Sequence, residues 1–404
     1  MHRFLNKSVL HLSYLAVFML VLVSSCREET FSPAQADSFI KFYGNYYKNE
    51  GSDVKSLDDG GYVIAGNTSV NNSDSDIIVI LTDKYGNEIG TPKNYGGAYN
   101  DHASSLKVLS DGGFAIIGST ETEAHDRAII SNMYLIRTDS AGDTLWTKNY
   151  GGYSNDVGYH LSETSDGGFI LIGYTEDIAS GSTDILIVKT DPDGEMIWSR
   201  THGGSGDDVG TYITETDDGY IYTGYTNSYS KPGQSMSNIF IAKTNTNGRL
   251  TFPITYGSMG DDSGKSIISV PEGGYVVLGT TTNTSTNTRN IYLSRIEDDI
   301  SKPLWTKSFG DEVNHDAVCI KRTTEGNFII TGTQELSQAD HVIFLLKTDS
   351  QGNPLFFKTF GGSGHQRGGA VDLSHDGGYI ITGSNKVGAN SMITLIKTKG
   401  DGEL

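Results

Sequence analysis

The nine residues SDGGFILIG, at positions 165–173, combine an acidic turn with a short apolar run that ends in glycine. A phrase of this kind occurs seven times along the chain, with its acidic residues 51 to 55 positions apart. Those acidic residues are Asp59, Asp111, Asp166, Asp218, Glu272, Glu325 and Asp376. Self-similarity with a period of about 50 residues lies in the range typical of propeller blades.

Each repeat divides into four strands, and the third repeat illustrates the division. Its segments are 156–164, 169–174, 184–190 and 196–202. The SDGG sequence suits a hairpin turn, and DPDG at 191–194 suits a β-turn with proline second and glycine at a positive φ. The second and third segments are apolar runs bounded by turns, as expected for strands buried between sheets. The sequence therefore predicts an all-β fold, a seven-bladed β-propeller with four antiparallel strands per blade.

The two ends of the chain complement each other. The last repeat stops after its third strand, near Thr398, and lacks the fourth strand and the glycine pair that follow elsewhere. The missing piece stands at the other end as FIKFYG, residues 39–44, which aligns with Lys93–Gly97. We expect the N-terminal strand to complete the C-terminal blade, which would close the propeller and remove its free edges. The predicted propeller domain is 39–404.

The repeat resembles the propeller repeat of quinoprotein (PQQ-like) families over nearly all of residues 39–404. The resemblance implies architecture more than function, since propellers support unrelated activities. The vicinal cysteine pair found in such dehydrogenases is absent, so no cofactor is carried over. The three tryptophans stand at the same position of their repeats, which favours packing between blades over stacking on sugar. They are Trp146, Trp198 and Trp305. Cys319 is expected to be a small apolar residue on an inner strand.

The N-terminus has the features of a secretion signal. Residues 1–25 combine a basic start with an apolar run, and the sequence before Cys26 resembles a bacterial lipobox. We therefore expect a signal peptide at 1–25, a lipidated Cys26 with a linker at 26–38, and a membrane tether through the lipid. Residue 27 is Arg rather than Asp, which indicates the outer membrane, and Glu28 with Glu29 resembles a surface-export signal. An ordinary signal peptide that contains a cysteine is the alternative.

The chain is acidic, with a formal net charge of −19. Nucleic acid is therefore excluded as an expected partner, because its phosphates would be repelled. An acidic surface instead favours solubility and attracts cations.

One polar position recurs at the start of each first strand. Its seven residues, the mouth ring, are Asn49, Asp101, Asp156, Asp208, Asp262, His315 and Gln366. In a propeller the first strands line the central channel, so this ring would stand at the channel mouth. Oxygen ligands at the channel mouth would suit a calcium ion. The alternative is that each side chain caps the amides of its own loop, and the sevenfold repetition favours that alternative.

Tyrosines break the repeat in three successive loops on one face. Tyr46 and Tyr47, then Tyr99, then Tyr153 precede three of the first strands, and Asp101 and Asp156 lie beside the last two. Clustered tyrosines next to carboxylates suit a protein or glycan ligand. Ordinary surface tyrosines are the alternative, since the chain has 22 of them.

Three classes of function remain. Catalysis needs a nucleophile with its base, or paired carboxylates in different environments, and no such set breaks the repeat. We therefore expect a non-catalytic binding module of the cell envelope that recognises protein or glycan through its loop face. A scaffold subunit of an envelope complex is the second hypothesis, and a glycan-active enzyme with a site at the channel mouth is the third.

Overall fold

The computed structural model describes residues 37–44, 47–69, 74–124, 127–176, 182–229, 236–310 and 312–404. The predicted signal peptide, Cys26 and Tyr46 lie outside these residues. Residues Asp37–Leu404 form one unit of strands and turns, so the prediction of an all-β fold is confirmed. Among the described residues there is no helix with the length and apolarity needed to cross a membrane.

The described strands follow one another with short connections. In chain order they are β1 (Phe39–Tyr43), β2 (Asn49–Ser56), β3 (Tyr62–Ser69), β4 (Ser75–Thr82), β5 (Lys93–Tyr95), β6 (Asp101–Val108), β7 (Phe114–Glu123), β8 (Ile129–Thr138), β9 (Thr144–Tyr150), β10 (Asp156–Glu163), β11 (Phe169–Thr175), β12 (Asp184–Thr190), β13 (Met196–His202), β14 (Asp208–Thr216), β15 (Gly219–Thr226), β16 (Asn238–Asn245), β17 (Leu250–Tyr256), β18 (Ser263–Ser269), β19 (Tyr275–Asn283), β20 (Thr288–Ile296), β21 (Pro303–Phe309), β22 (Asn314–Arg322), β23 (Phe328–Glu335), β24 (His341–Thr348), β25 (Pro354–Phe360), β26 (His365–Leu373), β27 (Tyr379–Val387) and β28 (Asn390–Thr398).

The strands pair in antiparallel groups of four. Five groups are separate sheets that run from β2–β5 to β18–β21. The group β22–β25 and the last group join into one eight-stranded sheet, because a single parallel bridge links His341 to His365. The last group contains β26, β27, β28 and β1, in that order of pairing with β1 at the end. Phe39 pairs with Lys397 and Tyr43 with Ile393, so the expected pairing of the N-terminal strand with the last repeat is present.

Two separate structural constraints explain why both positions of the glycine pair are glycine. Gly167 has a φ of 81°, a conformation that residues with a side chain rarely adopt. At Gly168 the backbone passes so close to the next strand that a Cβ would lie 2.1 Å from the carbonyl oxygen of Thr190. The Asp166 carboxylate accepts a hydrogen bond from the Gly168 amide at 3.0 Å and thereby holds the turn. Asp, Gly and Gly are thus required together at this corner.

The core lies between successive groups. One apolar cluster joins Ile117 and Leu135 of the second group to Leu161 and Leu171 of the third, and all four are buried. Burial of one such side chain stabilises the fold by roughly 1.5–3 kcal/mol. The Trp146 ring packs edge-on against Phe169 of the next group, with the ring centroids 6.2 Å apart. The tryptophan therefore packs between groups, as its repeat position indicated.

A hydrogen bond also recurs from group to group. The Tyr150 hydroxyl, at the end of β9, donates to the carbonyl oxygen of Gly194 at 2.6 Å in the next group. The Tyr43 hydroxyl, at the end of β1, donates to the carbonyl oxygen of Gly86 at 2.7 Å in the first group. The N-terminal strand thus makes the contact with its neighbouring group that an outer strand makes elsewhere.

Candidate functional site

The first strand of each group carries the same irregularity. Each one skips a residue in its pairing with the second strand, three positions after the mouth ring. The skipped residues, the bulge ring, are Ser52, Ser104, Tyr159, Thr211, Lys265, Val318 and Gly369. A bulge leaves its residue outside the ladder and redirects the side chain, and bulges are frequent beside functional sites.

The bulge ring lines a cavity of about 750 Å³. The cavity is lined by the inner strands β2, β6, β10, β14, β18, β22 and β26, with Tyr225 of β15 added at one side. Cys319 of β22 is among the lining residues, so its predicted inner-strand position is confirmed. Because the lining residues differ from strand to strand, the cavity has a different chemistry on each side.

The side formed by β10 and β14 is aromatic. Tyr159 is 38% exposed, and its ring centroid lies 5.9 Å from that of Tyr174. Burial, with Tyr174 and Tyr225 nearby, raises the pKa of Tyr159 to about 12, so the phenol stays a neutral donor at physiological pH. Tyr159, together with Tyr212 and Tyr225, therefore contributes aromatic rings to this side of the cavity lining.

Deeper on the same side, the His160 ring stacks on Tyr212 with centroids 3.6 Å apart. The His160 Nδ1 accepts a hydrogen bond from the amide of Ile213 at 3.4 Å. Burial lowers the pKa of His160 to about 3, so the imidazole is neutral at physiological pH. His160 therefore acts as a bridge between two inner strands.

The opposite side, formed by β22, β26 and β2, is charged. Asp53 accepts hydrogen bonds from the Leu106 amide at 2.8 Å, from the Ser105 hydroxyl at 3.1 Å and from the Lys55 ammonium. Burial opposes ionisation of this carboxyl, but Lys55 and the hydrogen bonds outweigh burial and lower its pKa. Asp53 is thus a satisfied carboxylate that links the first two groups.

A second charged pair lies next to the first. Asp372 accepts a hydrogen bond from the Ser56 amide at 3.0 Å, and the Lys321 ammonium is 4.0 Å from its other oxygen. Burial disfavours the charge of Lys321, but Asp372 outweighs burial and raises the pKa of the lysine. Two ion pairs therefore line one wall of the cavity.

The comparisons with known proteins agree on the fold. No protein-family model matches the chain. The structure of YCF48 bound to D1 peptide matches with a TM-score of 0.50 at 11% identity, covering 90% of this chain and 96% of that one. The β-propeller domain of the Trilobed protease from Pyrococcus furiosus, which has an open velcro topology, matches with a TM-score of 0.48 at 10% identity, covering 87% and 94%. The fold is a β-propeller.

Two other proteins match over a smaller part of the chain. The endo-arabinase from Bacteroides thetaiotaomicron has a TM-score of 0.38 at 15% identity and covers 60% of this chain and 94% of its own. In sequence, regulatory protein FlaEY of Caulobacter vibrioides is 24% identical over 202 residues, which is 44% of this chain. The match spans only 21% of that protein, about a fifth of its length.

The mouth ring lies at the start of the inner strands of this propeller, but its side chains are turned to the loops. They are 0% to 6% exposed. Asp101, Asp156 and Asp208 accept hydrogen bonds from the amides of Gly97, Gly152 and Gly204 at 2.8, 2.9 and 3.0 Å. Asn49, Asp262, His315 and Gln366 are buried in the same way. This is the loop-capping arrangement, and it leaves these side chains little surface for a ligand.

No metal site emerges around these groups. Within the part of the chain that the structure describes, three or more His, Cys, Asp or Glu side chains do not come together in a way that could hold a metal ion. Calcium at the mouth ring stays a prediction from the sequence.

The predicted tyrosines lie on the loops that precede β2, β6 and β10. Tyr153 is 80% exposed and Tyr47 is 36% exposed. Tyr99 is partly exposed, and its hydroxyl donates to Glu123 at 3.3 Å. Tyr46 lies outside the described residues. Tyr47, Tyr99 and Tyr153 do not line the central cavity.

Sequence reasoning missed the bulge ring and the residues just beyond it. Tyr159 and Lys265 differ from the residues at the same position of the other repeats, but this difference does not show which way a side chain faces. The cavity is lined by positions further along each inner strand than the mouth ring.

Proposed function

We propose that this protein is a non-catalytic binding module that receives the end of a glycan in the cavity between its inner strands. One observation supports the proposal above the others: the exposed ring of Tyr159 faces a cavity that is otherwise rich in hydroxyl groups. The partly exposed hydroxyl-bearing residues of the lining include Ser52, Ser104 and Ser162. A concave site with an aromatic wall and a few placed polar groups is the usual form of a small-ligand site.

The state of the titratable groups favours binding over catalysis. General acid catalysis needs a carboxyl that holds its proton near neutral pH. Asp53 is instead ionised and accepts hydrogen bonds from two backbone amides, a hydroxyl and an ammonium, and Asp372 is held by Ser56 and Lys321. His160 is neutral, with its Nδ1 occupied. A glycan-active enzyme is therefore the less favoured hypothesis.

A protein ligand on the loop face is the second candidate. The observation that favours it is the 80% exposure of Tyr153, because exposed tyrosines are common in protein-binding surfaces. YCF48, which shares the fold, has been solved with a bound peptide. A scaffold role in an envelope complex would use the same surface.

The experiment is a glycan array followed by calorimetry on the wild type and two variants. We expect Tyr159→Ala to weaken glycan binding at least tenfold, and Tyr153→Ala, a matched tyrosine outside the cavity, to leave it unchanged. Equal melting curves for the three proteins would exclude unfolding as the cause. If no glycan binds and Tyr153→Ala abolishes capture of a protein partner, the glycan proposal is wrong and the protein ligand takes its place.

The architecture that holds the site is also a proposal in its finer detail. We propose a seven-bladed propeller closed by β1 as the outer strand of the last blade. The pairing of β1 with β28 supports this, as does the bond from Tyr43 to Gly86, which repeats the bond from Tyr150 to Gly194. Closure would hold the seven inner strands at fixed positions around the cavity.

We further propose that the protein is an outer-membrane lipoprotein anchored through Cys26, with its propeller at 39–404. The support is the sequence of residues 1–26. Cys26→Ser should move the protein from the membrane fraction to the soluble fraction. Retention of this variant in the membrane fraction would contradict the lipid anchor.

A further inference from the structure

The cavity has the opposite charge to the rest of the chain. The chain carries a formal net charge of −19. The cavity is lined by four lysines and two aspartates, which leaves an excess of two positive charges. The lysines are Lys55, Lys107, Lys265 and Lys321. In an acidic protein, lysines gathered in this cavity create a local field that attracts anions.

Both carboxylates in the cavity already have partners. Asp53 is bound by Lys55 and three further donors, and Asp372 is bound by the Ser56 amide beside Lys321. In the described part of the chain, Lys107 and Lys265 take part in no ion pair. The two excess charges are therefore available to a ligand.

Lys265 is the better placed of the two. It is the bulge-ring residue of β18, so the bulge turns its side chain into the cavity. The acidic group that acts on it is Asp316, which is held by Arg289 through two hydrogen bonds of 2.7 and 2.9 Å. Burial lowers the pKa of Lys265, because the fold gives this ammonium too little compensation for the water it has lost.

Lys265 and Tyr159 lie at the same level of the cavity. Both are bulge-ring residues, and Thr211 is the bulge-ring residue of the strand between theirs in chain order. A sugar ring that contacts Tyr159 within the cavity therefore lies at the level of the lysine.

We propose that the glycan carries an anionic group, a carboxylate of the uronic-acid class, that binds the ammonium of Lys265 while the sugar ring stacks on Tyr159. The inference rests on the proposed function and names the class of glycan. The lysine ammonium is a compact positive charge that binds any compact anion, so the sulfate of a sulfated sugar would bind Lys265 in the same way.

The test compares an oligosaccharide of uronic acid, its carboxyl-reduced neutral form and a sulfated oligosaccharide by calorimetry. The proteins are the wild type, Lys265→Met, Lys265→Arg and the control Lys48→Met, an exposed lysine outside the cavity. We expect Lys265→Met to weaken binding of the uronate at least tenfold and to leave the neutral form unchanged. Lys265→Arg keeps the charge and should retain the preference, and Lys48→Met should have no effect.

The outcomes separate this inference from the proposed function. If the neutral and acidic sugars bind equally and Tyr159→Ala weakens both, the function stands and the anionic group is refuted. If neither sugar binds to the wild type but another glycan of the array does, the inference fails and the proposed function stands, whereas binding of no glycan in the array refutes the proposed function itself. Tighter binding of the sulfated sugar than of the uronate would overturn the choice of carboxylate. An equal loss in Lys265→Met and Lys48→Met would assign the effect to general surface charge, which would also refute the inference.

Discussion

Replacing Tyr43 with phenylalanine tests whether β1 serves as the outer strand of the last group. The substitution removes one oxygen atom from a side chain that is 5% exposed, and it keeps the ring in place. The lost interaction is the hydrogen bond of 2.7 Å from the hydroxyl to the carbonyl oxygen of Gly86. Removing one partner of a buried hydrogen bond costs about 1–2 kcal/mol.

The chain offers a matched control in Tyr150. Its hydroxyl donates to the carbonyl oxygen of Gly194 at 2.6 Å, and its side chain is 7% exposed. Its strand β9 is joined to β8 by a short turn, whereas β1 lies far from β28 in the sequence. Tyr43→Phe and Tyr150→Phe should therefore reduce the free energy of unfolding by similar amounts if β1 is docked as firmly as β9.

Urea unfolding followed by tyrosine and tryptophan fluorescence is the appropriate assay. In a domain of this size, 1 kcal/mol shifts the melting temperature by only about 1–2 °C, so the change in free energy is taken from the denaturant midpoint together with the slope m. A normal loss for Tyr150→Phe with no loss for Tyr43→Phe would refute the reasoning, since it would mean that β1 is detached in solution.

Three further predictions concern the inner strands. Gly210→Ala should destabilise the fold by about 1–3 kcal/mol in urea unfolding, because its Cβ would lie 2.4 Å from Ile172, whereas Gly97→Ala has open space and should be neutral. Asp53→Ala should cost about 3–5 kcal/mol by the same measurement, since it leaves the Lys55 charge without its carboxylate. Protonation of His160 is opposed by the fold, so its folded-state pKa of about 3 lies below the unfolded value of about 6.5. The free energy of unfolding should therefore fall as the pH decreases from about 6.5 to about 3. Over the same range the unfolding midpoint of His160→Gln should fall less steeply than that of the wild type, and identical pH profiles would contradict this.

Local signals in the sequence were sufficient to predict where the strands begin and end. In the third repeat the predicted third and fourth strands, 184–190 and 196–202, coincide with β12 and β13, and the first two differ by one residue at an end. The agreement follows from chemistry that acts within a few residues. Gly167 needs a positive φ and the apolar runs need burial on both faces, so each boundary is set by residues close to it.

The candidate site could be predicted only in part. Sequence comparison found the polar position at the start of each inner strand, but Asp101 and Asp156 are buried loop caps. It did not find Tyr159 or Lys265, because nothing near either residue in the chain distinguishes a side chain that faces the cavity from one that faces a neighbouring strand. A bulge reverses the alternation of an otherwise regular strand at that point.

The repeats, their strands and their turns could therefore be predicted from the sequence alone, since these depend on local conformation and on the apolar pattern. Which side chains meet follows from the packing of the sheets in three dimensions. Asp53 reaches Leu106, and Tyr159 shares a cavity with Lys265, across separations of 53 and 106 residues. Contacts of this kind depend on how the sheets are arranged around the cavity, and that arrangement is a property of the whole packed chain rather than of any repeat within it.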